Sequence, residues 1–428
     1  MILRMRDIIE QIECGNVPEG YKKTKIGIFP ADWDVYILGD CLSRVENPVE
    51  VKPNELYTQI GIRSHGKGLF YKEPVSGDSL GNKAVFWIEP DCFILNIVFA
   101  WEQAIGKTTQ AEVGMIGSHR FPMYRPINNK VDIDYLIAYF LTKRGTDILQ
   151  AASPGGAGRN KTLGQDRFLK SKIILPPIEE QQKIAAILTT QDKVIELKGK
   201  LLSEKQWQKK YLVQVLLTGK KRLPGFSGEW KVKRLKSISK RHMCKNSVGN
   251  TNVLTISAQF GLINQSDFFN KTVAGDDKSN YFLLGRDDFA YNKSYSNGYP
   301  YGAIKRLKKY DEGIVSPLYI CFRLVPGAVS IDYIEQYFEA GLMNHEIQAF
   351  AQEGARNHGL LNISVDDFLN SKILLPPIEE QTAIAEVLSA ADREIDLLKQ
   401  ELEQEKQKKK ALMQLLLTGI VRTNHDSF

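Results

Sequence analysis

The pattern of apolar and polar positions changes character along the chain. Short runs at residues 56–62, 84–88, 92–95, 253–256 and 313–322 alternate or cluster apolar side chains between Gly, Asn and Asp, and predict β-strands. Residues 135–141 and 333–338 read as short helices. Two stretches keep an apolar residue near every third or fourth place for much longer: Ile184, Leu188, Ile195, Leu202, Leu212 and Leu216, then Ile384, Leu388, Ile395, Leu402, Leu412 and Leu416. Each follows a Pro-Pro pair, Pro176-Pro177 or Pro376-Pro377, which cannot sit inside a helix but can precede one. Glu179-Glu180 and Glu379-Glu380 then place negative charge at the positive end of the helix dipole, and Gly219 and Gly419 mark the ends. The spacing predicts two rods of about 40 residues, on the order of 60 Å long.

These rods belong to a repeat. Residues 168–219 and 368–419 align without a gap at an offset of 200, with 27 of 52 positions identical, more than chance supplies. A unit of roughly 200 residues has therefore been duplicated. Fainter echoes link residues 28–33 to 224–230 through a shared tryptophan, Val131-Asp-Ile-Asp-Tyr135 to Val329-Ser-Ile-Asp-Tyr333, and Gly158-Arg159-Asn160 to Ala355-Arg356-Asn357. Between these anchors the halves diverge, so each unit reads as a variable domain of roughly 140 residues with mixed strands and helices, followed by a long shared helix. A long rod with one apolar stripe needs a partner, and the nearest is its own copy. Pairing into a coiled coil is predicted, with Lys209 and Lys409 falling on the stripe in both copies. The polar faces carry Lys198, Lys200 and Lys205 in the first helix and Glu401, Glu403 and Glu405 in the second, which favours the mixed pair. The alternative is two surface helices, each packed on its own domain.

Composition narrows the function. With 43% hydrophobic and 25% charged residues the chain is expected to fold into two or three soluble domains. A net charge of +7 permits an anionic partner without demanding one. The five cysteines form no CxxC and the six histidines no HxxxH, so neither a disulfide framework nor a metal site is expected, and a cytoplasmic location is. Charged residues within the first turns and the lack of an 18-residue apolar run argue against secretion and membrane spanning. A base methyltransferase would need an Asn/Asp-Pro-Pro-aromatic or Pro-Cys motif and a glycine-rich cofactor turn, and the sequence has neither. The stretch from Gly155 to Thr162 resembles a phosphate loop, but Asn160 stands where glycine is needed. Pro90-Asp91 with Glu102-Gln-Ala lacks the lysine of a nuclease site, and His65, His119 and His358 are scattered.

Binding chemistry remains. In the first variable domain glycine-punctuated loops carry Arg63, Ser64, Lys67, His119, Arg120, Arg159, Asn160 and Lys161; in the second, Lys293, Tyr295, Asn297, Lys305, Arg306, Arg356 and Asn357. Arg and Lys can contact guanine edges or phosphates, and Asn can pair with adenine, although solvated loops use the same residue types. Residues 222–365 hold 18 Lys and Arg against 13 Asp and Glu, while 15–164 hold 17 against 16, so only local clustering can make a basic face.

Taken together, the duplicated Phe-Leu-x-Ser-Lys-Ile-x-Leu-Pro-Pro-Ile-Glu-Glu-Gln blocks at Phe168 and Phe368, the Leu-Leu-Thr-Gly endings at Leu216 and Leu416, and the opening from Ile26 to Trp33 resemble the specificity (S) subunit of type I restriction-modification enzymes. The resemblance spans essentially the full length. It implies an α+β fold of two target recognition domains joined by two long helices in an antiparallel coiled coil, a pseudo-two-fold internal repeat. The implied layout is an N-terminal helix and first recognition domain at 1–164, a long helix at 165–221, a second recognition domain at 222–365, and a second long helix with tail at 366–428. It further implies a non-catalytic DNA-reading subunit, each domain reading half of a split asymmetric site while the helices set the spacing and dock two methyltransferase (M) subunits, with restriction (R) subunits joining. S-adenosylmethionine, Mg and ATP would serve those partners, leaving this chain no cofactor of its own. A coiled-coil adaptor that does not read DNA is the competing reading.

Overall fold

A computed structural model describes residues 2–81, 83–155, 161–257, 260–268, 278–295, 298–353 and 361–423. The chain divides into two compact units, Met1–Gly199 with Glu401–Phe428, and Lys200–Gln400. Each unit therefore combines a globular domain with part of the long helix Ile178–Leu216 and part of the long helix Ile378–Leu416.

The first unit holds a four-stranded antiparallel sheet in the order Ile105–Lys107, Phe93–Leu95, Met123–Pro126, Leu42–Val45. The second holds the same arrangement as Ala303–Arg306, Phe289–Asn292, Ile320–Leu324, Ser239–Arg241. Sequences that share few residues thus preserve one strand order, because register depends on which positions are apolar more than on which apolar residue stands there. The cores match in composition too. Phe93, Tyr124, Tyr135, Phe140 and Phe168 pack with Ile184, Leu188, Leu416 and Leu417 in the first. Phe289, Phe322, Tyr333, Phe338 and Phe368 pack with Ile384, Leu388, Leu216 and Leu217 in the second. Each core is closed by the start of one long helix and the end of the other.

The Ser-Lys-Ile strand of each repeated block pairs with the strand after the domain-opening tryptophan: Lys172–Leu175 with Asp34–Ile37, and Lys372–Leu375 with Lys231–Arg234. The second opening forms this strand although it shares little beyond Trp230. Two predicted strands break. Residues 313–322 become Glu312–Val315 and Ile320–Leu324, because Pro317 has no N–H for a ladder and Ser316 closes a turn between them. Residues 56–62 become Leu56–Tyr57 and Ile60–Ile62. The short helices run Ile133–Phe140 and Ile331–Glu339, started by the side chains of Asp132 and Ser330, which accept from Tyr135 N and Tyr333 N.

Gly219 and Gly419 end the long helices with φ of 70° and 75°, a left-handed conformation that suits glycine, and donate to Leu216 O and Leu416 O. In the first unit Gln191 Nε2 donates to Glu405 Oε2 at 2.8 Å, Lys198 pairs with Glu401 at 2.6 Å and Asp192 with Lys409 at 2.5 Å. Between the two ion pairs one number rises from 192 to 198 as the other falls from 409 to 401, so these segments run antiparallel. In the second unit Lys205 pairs with Glu394 at 2.7 Å and Lys209 with Asp392 in the same sense. Lys205 thus meets Glu394 rather than the Glu401 to Glu405 block, whose last carboxylate is taken by Gln191. Of the stripe, Ile184, Leu188, Leu216, Ile384, Leu388, Ile395 and Leu416 are buried, while Ile195, Leu202, Leu212, Leu402 and Leu412 are half-buried. Among the described residues no helix is long and apolar enough to cross a membrane.

Candidate nucleic-acid interface

The text repeated most faithfully builds the frame of each domain. Glu180 and Glu380 are fully buried. Glu180 accepts from Trp33 Nε1 at 3.1 Å and from Arg422 at 2.8 and 2.9 Å; Glu380 accepts from Trp230 Nε1 at 3.2 Å and from Arg222 at 2.5 and 2.6 Å. A buried carboxylate requires such partners, since desolvation otherwise outweighs its charge. Arg422 also reaches Asp32 at 2.5 Å. Burial opposes ionisation of Asp32, but the Arg422 guanidinium outweighs it and holds the carboxyl below its ordinary range. The next residue joins helix to domain: Gln181 Oε1 accepts from Asp132 N at 2.9 Å and Gln381 Oε1 from Ser330 N at 3.0 Å, while each amide donates back to the proline carbonyl at the helix start. Ile-Glu-Glu-Gln therefore welds each long helix to the domain before it.

On this frame the first domain gathers its loops. Arg63 N donates to Gly68 O, His65 N to Glu102 O, Gly66 N to Gln103 O, Ile97 N to Arg120 O and Leu163 N to Ile97 O, all between 2.8 and 3.0 Å. Residues 63–68, 96–103, 118–121 and 161–163 thereby form one surface. Gly66 has φ of 62°, and a Cβ there would lie 2.5 Å from Leu141 Cδ2, so the hairpin can approach only as glycine. Arg63 is positioned by Leu69 O at 2.7 Å and by the Phe70 ring, and Ser64 donates to Glu102 at 3.0 Å. Lys161 Nζ sits 5.1 Å from the centroid of Trp101, and Lys67, His119 and Arg120 are exposed.

Lys22, Arg44, Lys52, Lys107 and Arg125 face Asp34, Glu46, Glu55, Asp134 and Glu89. Among the described residues Arg63, Lys67, Arg120 and Lys161 face no carboxylate. Cations left without internal counter-charge and collected on one loop surface are what a polyanion requires.

The second domain joins its corresponding loops in the same way, with fewer candidate cations on them among the described residues. Leu361 N donates to Lys293 O at 3.1 Å, joining the loop after Asn292 to residues 361–363, and Tyr295 is 63% exposed. Among the described residues the Lys293 ammonium also meets only a carbonyl, that of Ile363. The structure corrects two candidates here. All three Lys305 ammonium protons have partners, Glu339 Oε1 and Oε2 and Tyr299 Oη within 2.8 Å, and the residue is 6% exposed. Arg306 is bound by Asp287, Asp332 and Glu335. Both charges are consumed inside the domain, since a near-buried cation must pair locally. Arg159, Asn160, Asn297, Arg356 and Asn357 lie outside the described residues.

Sequence reasoning overlooked a shared loop frame. Asn96 Oδ1 accepts from Val98 N and Asn292 Oδ1 from Ser294 N, each at 3.1 Å, and the following residue is an exposed aromatic in both, Phe99 and Tyr295. The signal was Phe93-x-x-Asn96 against Phe289-x-x-Asn292, at an offset of 196 rather than 200.

The family model for the type I restriction modification DNA specificity domain matches residues 89–204 and 228–407, more than half of the chain. The putative type I restriction enzyme MjaX specificity subunit of Methanocaldococcus jannaschii is 26% identical over 449 residues, covering 94% of this chain and 97% of the relative. The type I restriction enzyme MjaVIII specificity subunit of the same organism is 26% identical over 437 residues, covering 93% and 95%. In fold, the chain is similar to an HsdS subunit from Thermoanaerobacter tengcongensis, with a TM-score of 0.53 at 18% identity over 92% of this chain and 98% of that one. A type I restriction-modification S subunit from M. genitalium gives 0.52 at 12% identity, over 90% and 96%. The fold and loops define a two-domain specificity protein built by internal duplication. The chain belongs to the type I restriction-modification DNA specificity family, as its specificity subunit.

Proposed function

We propose that each globular domain reads one half of a bipartite, asymmetric DNA site. The first uses the surface bearing Arg63, Ser64, Lys67, His119, Arg120 and Lys161, and the second the loops bearing Lys293 and Tyr295. The observation that carries this reading is the gathering of loops: hydrogen bonds join residues 63–68, 96–103, 118–121 and 161–163 into one surface, on which Arg63, Lys67, Arg120 and Lys161 face no carboxylate among the described residues. The two long helices act as an antiparallel coiled coil about a pseudo-two-fold, set the gap between half-sites, and dock two M subunits, with R subunits joining the complex. The reciprocal pairs Lys209 with Asp392 and Asp192 with Lys409, related by the offset of 200, support that symmetry. Chemistry resides in the partners, which use S-adenosylmethionine, Mg and ATP. This chain is a cytoplasmic, non-catalytic targeting subunit.

Exchange of residues 20–155 for the matching segment of a relative tests the reading: one half-site of the methylated sequence should change, and a change in both halves would overturn it. An adaptor that does not read DNA is separated by titrating random duplex, whose binding should weaken steeply with salt as phosphate contacts release counterions.

A further inference from the structure

Both units build the same turn at the same place. In the first, Ser118 O accepts from Phe121 N at 2.8 Å and Ser118 Oγ from Arg120 N at 3.3 Å. In the second, Ser316 O accepts from Tyr319 N at 3.1 Å and Ser316 Oγ from Leu318 N at 3.3 Å. The strands that lead in match as well: Ile116 forms a parallel bridge to Gln59, and Ile314 one to Val253. The third residue of the turn is therefore an equivalent position, and it holds an exposed arginine in one domain and a leucine, 69% exposed, in the other. The first turn is tied to the gathered loops through Arg120 O, which accepts from Ile97 N at 3.0 Å.

What the two domains share and what they do not share have different uses. The asparagine frame presents an aromatic in both, Phe99 and Tyr295, which suits contacts made whatever the base sequence. The serine turn keeps its hydrogen bonds while its displayed side chain changes from cationic to aliphatic. Arginine pairs with guanine O6 and N7 in the major groove, whereas an apolar side chain meets the thymine methyl group. Arg120 has no carboxylate among the described residues to hold it back. Pro317 fixes the backbone that displays Leu318.

We infer that Arg120 and Leu318 are the specificity-determining residues of these two turns, Arg120 selecting a guanine in one half-site and Leu318 a thymine in the other. This rests on the two-domain DNA-reading function proposed above. The test maps methylated adenines in a host carrying the full chain with its methyltransferase partners, for wild type, Arg120→Leu and Leu318→Arg. Arg120→Leu should relax one G·C position of one half-site by on the order of tenfold or more, and Leu318→Arg should move one A·T position of the other half towards guanine, with the gap and remaining bases unchanged. Unchanged sites in both variants would overturn the inference. So would an Arg120→Leu chain that binds every duplex more weakly with a salt slope shallower by about one, the mark of a phosphate contact. Wild type that methylates no bipartite site would refute the underlying reading instead. Where a variant supports no methylation, binding of the purified full chain to duplexes differing at that single base pair gives the discrimination directly, and equal affinity for all four overturns the assignment.

Discussion

Arg422 holds Glu180 through two nitrogens, Nε to Oε1 at 2.8 Å and Nη2 to Oε2 at 2.9 Å, across 242 positions of sequence. In the other unit Arg222 does the same for Glu380. Both carboxylates are fully buried, so each guanidinium neutralises a charge that water cannot reach.

Arg422→Ala should therefore leave Glu180 with only Trp33 Nε1 and a 3.4 Å contact from Thr423 N among the described residues, and cost the first unit about 3–5 kcal/mol, while Arg222→Ala should lower the stability of the second. Calorimetric unfolding of the full chain reads this as a lowered transition. A loss under about 1 kcal/mol would show that the pair is merely a surface contact in effect.

Acid should weaken the same junction. The folded-state pKa of Asp32 lies below its ordinary 3.8, since Arg422 outweighs the opposing effect of burial. Stability from a depressed carboxyl is fully present above the unfolded value and is lost as pH falls through the folded one. Wild type should therefore melt above Asp32→Asn near neutrality, and the gap should narrow as pH falls below 3.8 and vanish once Asp32 is protonated in the folded chain. A melting difference that persists in acid would rule out the ion pair as its source.

Thiol labelling checks the packing. Cys14 and Cys244 are exposed, whereas Cys41, Cys92 and Cys321 are buried. Burial, with Asp288 nearby, pushes the Cys321 thiol up to about 12. Cys14 and Cys244 should react with a disulfide reagent in the native chain and the others only on unfolding. Fast native labelling of Cys321 would contradict this core.

A fragment of residues 1–222 should fold and dimerise. Leu212, Leu216, Leu217 and Arg222 are the same residue types as Leu412, Leu416, Leu417 and Arg422, which close the first unit. A second copy can thus supply both the apolar cover and the guanidinium for Glu180. Lys198 would lose Glu401 and meet Leu201 or its like-charged neighbours instead, so salt should strengthen the dimer by screening. Sedimentation showing a monomer at tens of micromolar in both low and high salt would exclude this pairing.

Long helices, their limits and the duplication were legible because a proline pair, an apolar period and a terminal glycine are local signals that tertiary contacts only reinforce. The position of each ion pair was not. Nothing in the sequence distinguishes Arg120, exposed on a loop, from Arg306, bound by Asp287, Asp332 and Glu335, because the carboxylates that decide it arrive from other elements. The strand predicted across residues 313–322 missed its break because Pro317 lies within an apolar run, where periodicity outvotes a single missing N–H. The Glu pairs in the helix starts read as dipole-compensating charge, yet Glu180 is buried, with Gln181 beside it, and both hold a junction.

Because the first unit takes Leu416, Leu417 and Arg422 into its structure while the second is the contiguous span Lys200–Gln400, order of synthesis and order of completion are reversed. The domain translated first leaves the ribosome with Glu180 lacking its guanidinium and the face around Ile184 and Leu188 uncovered, and stays unfinished until the end of the second helix emerges. Leu212, Leu216 and Arg222 appear 200 residues earlier with matching chemistry, a stand-in that a second nascent chain can offer during that wait.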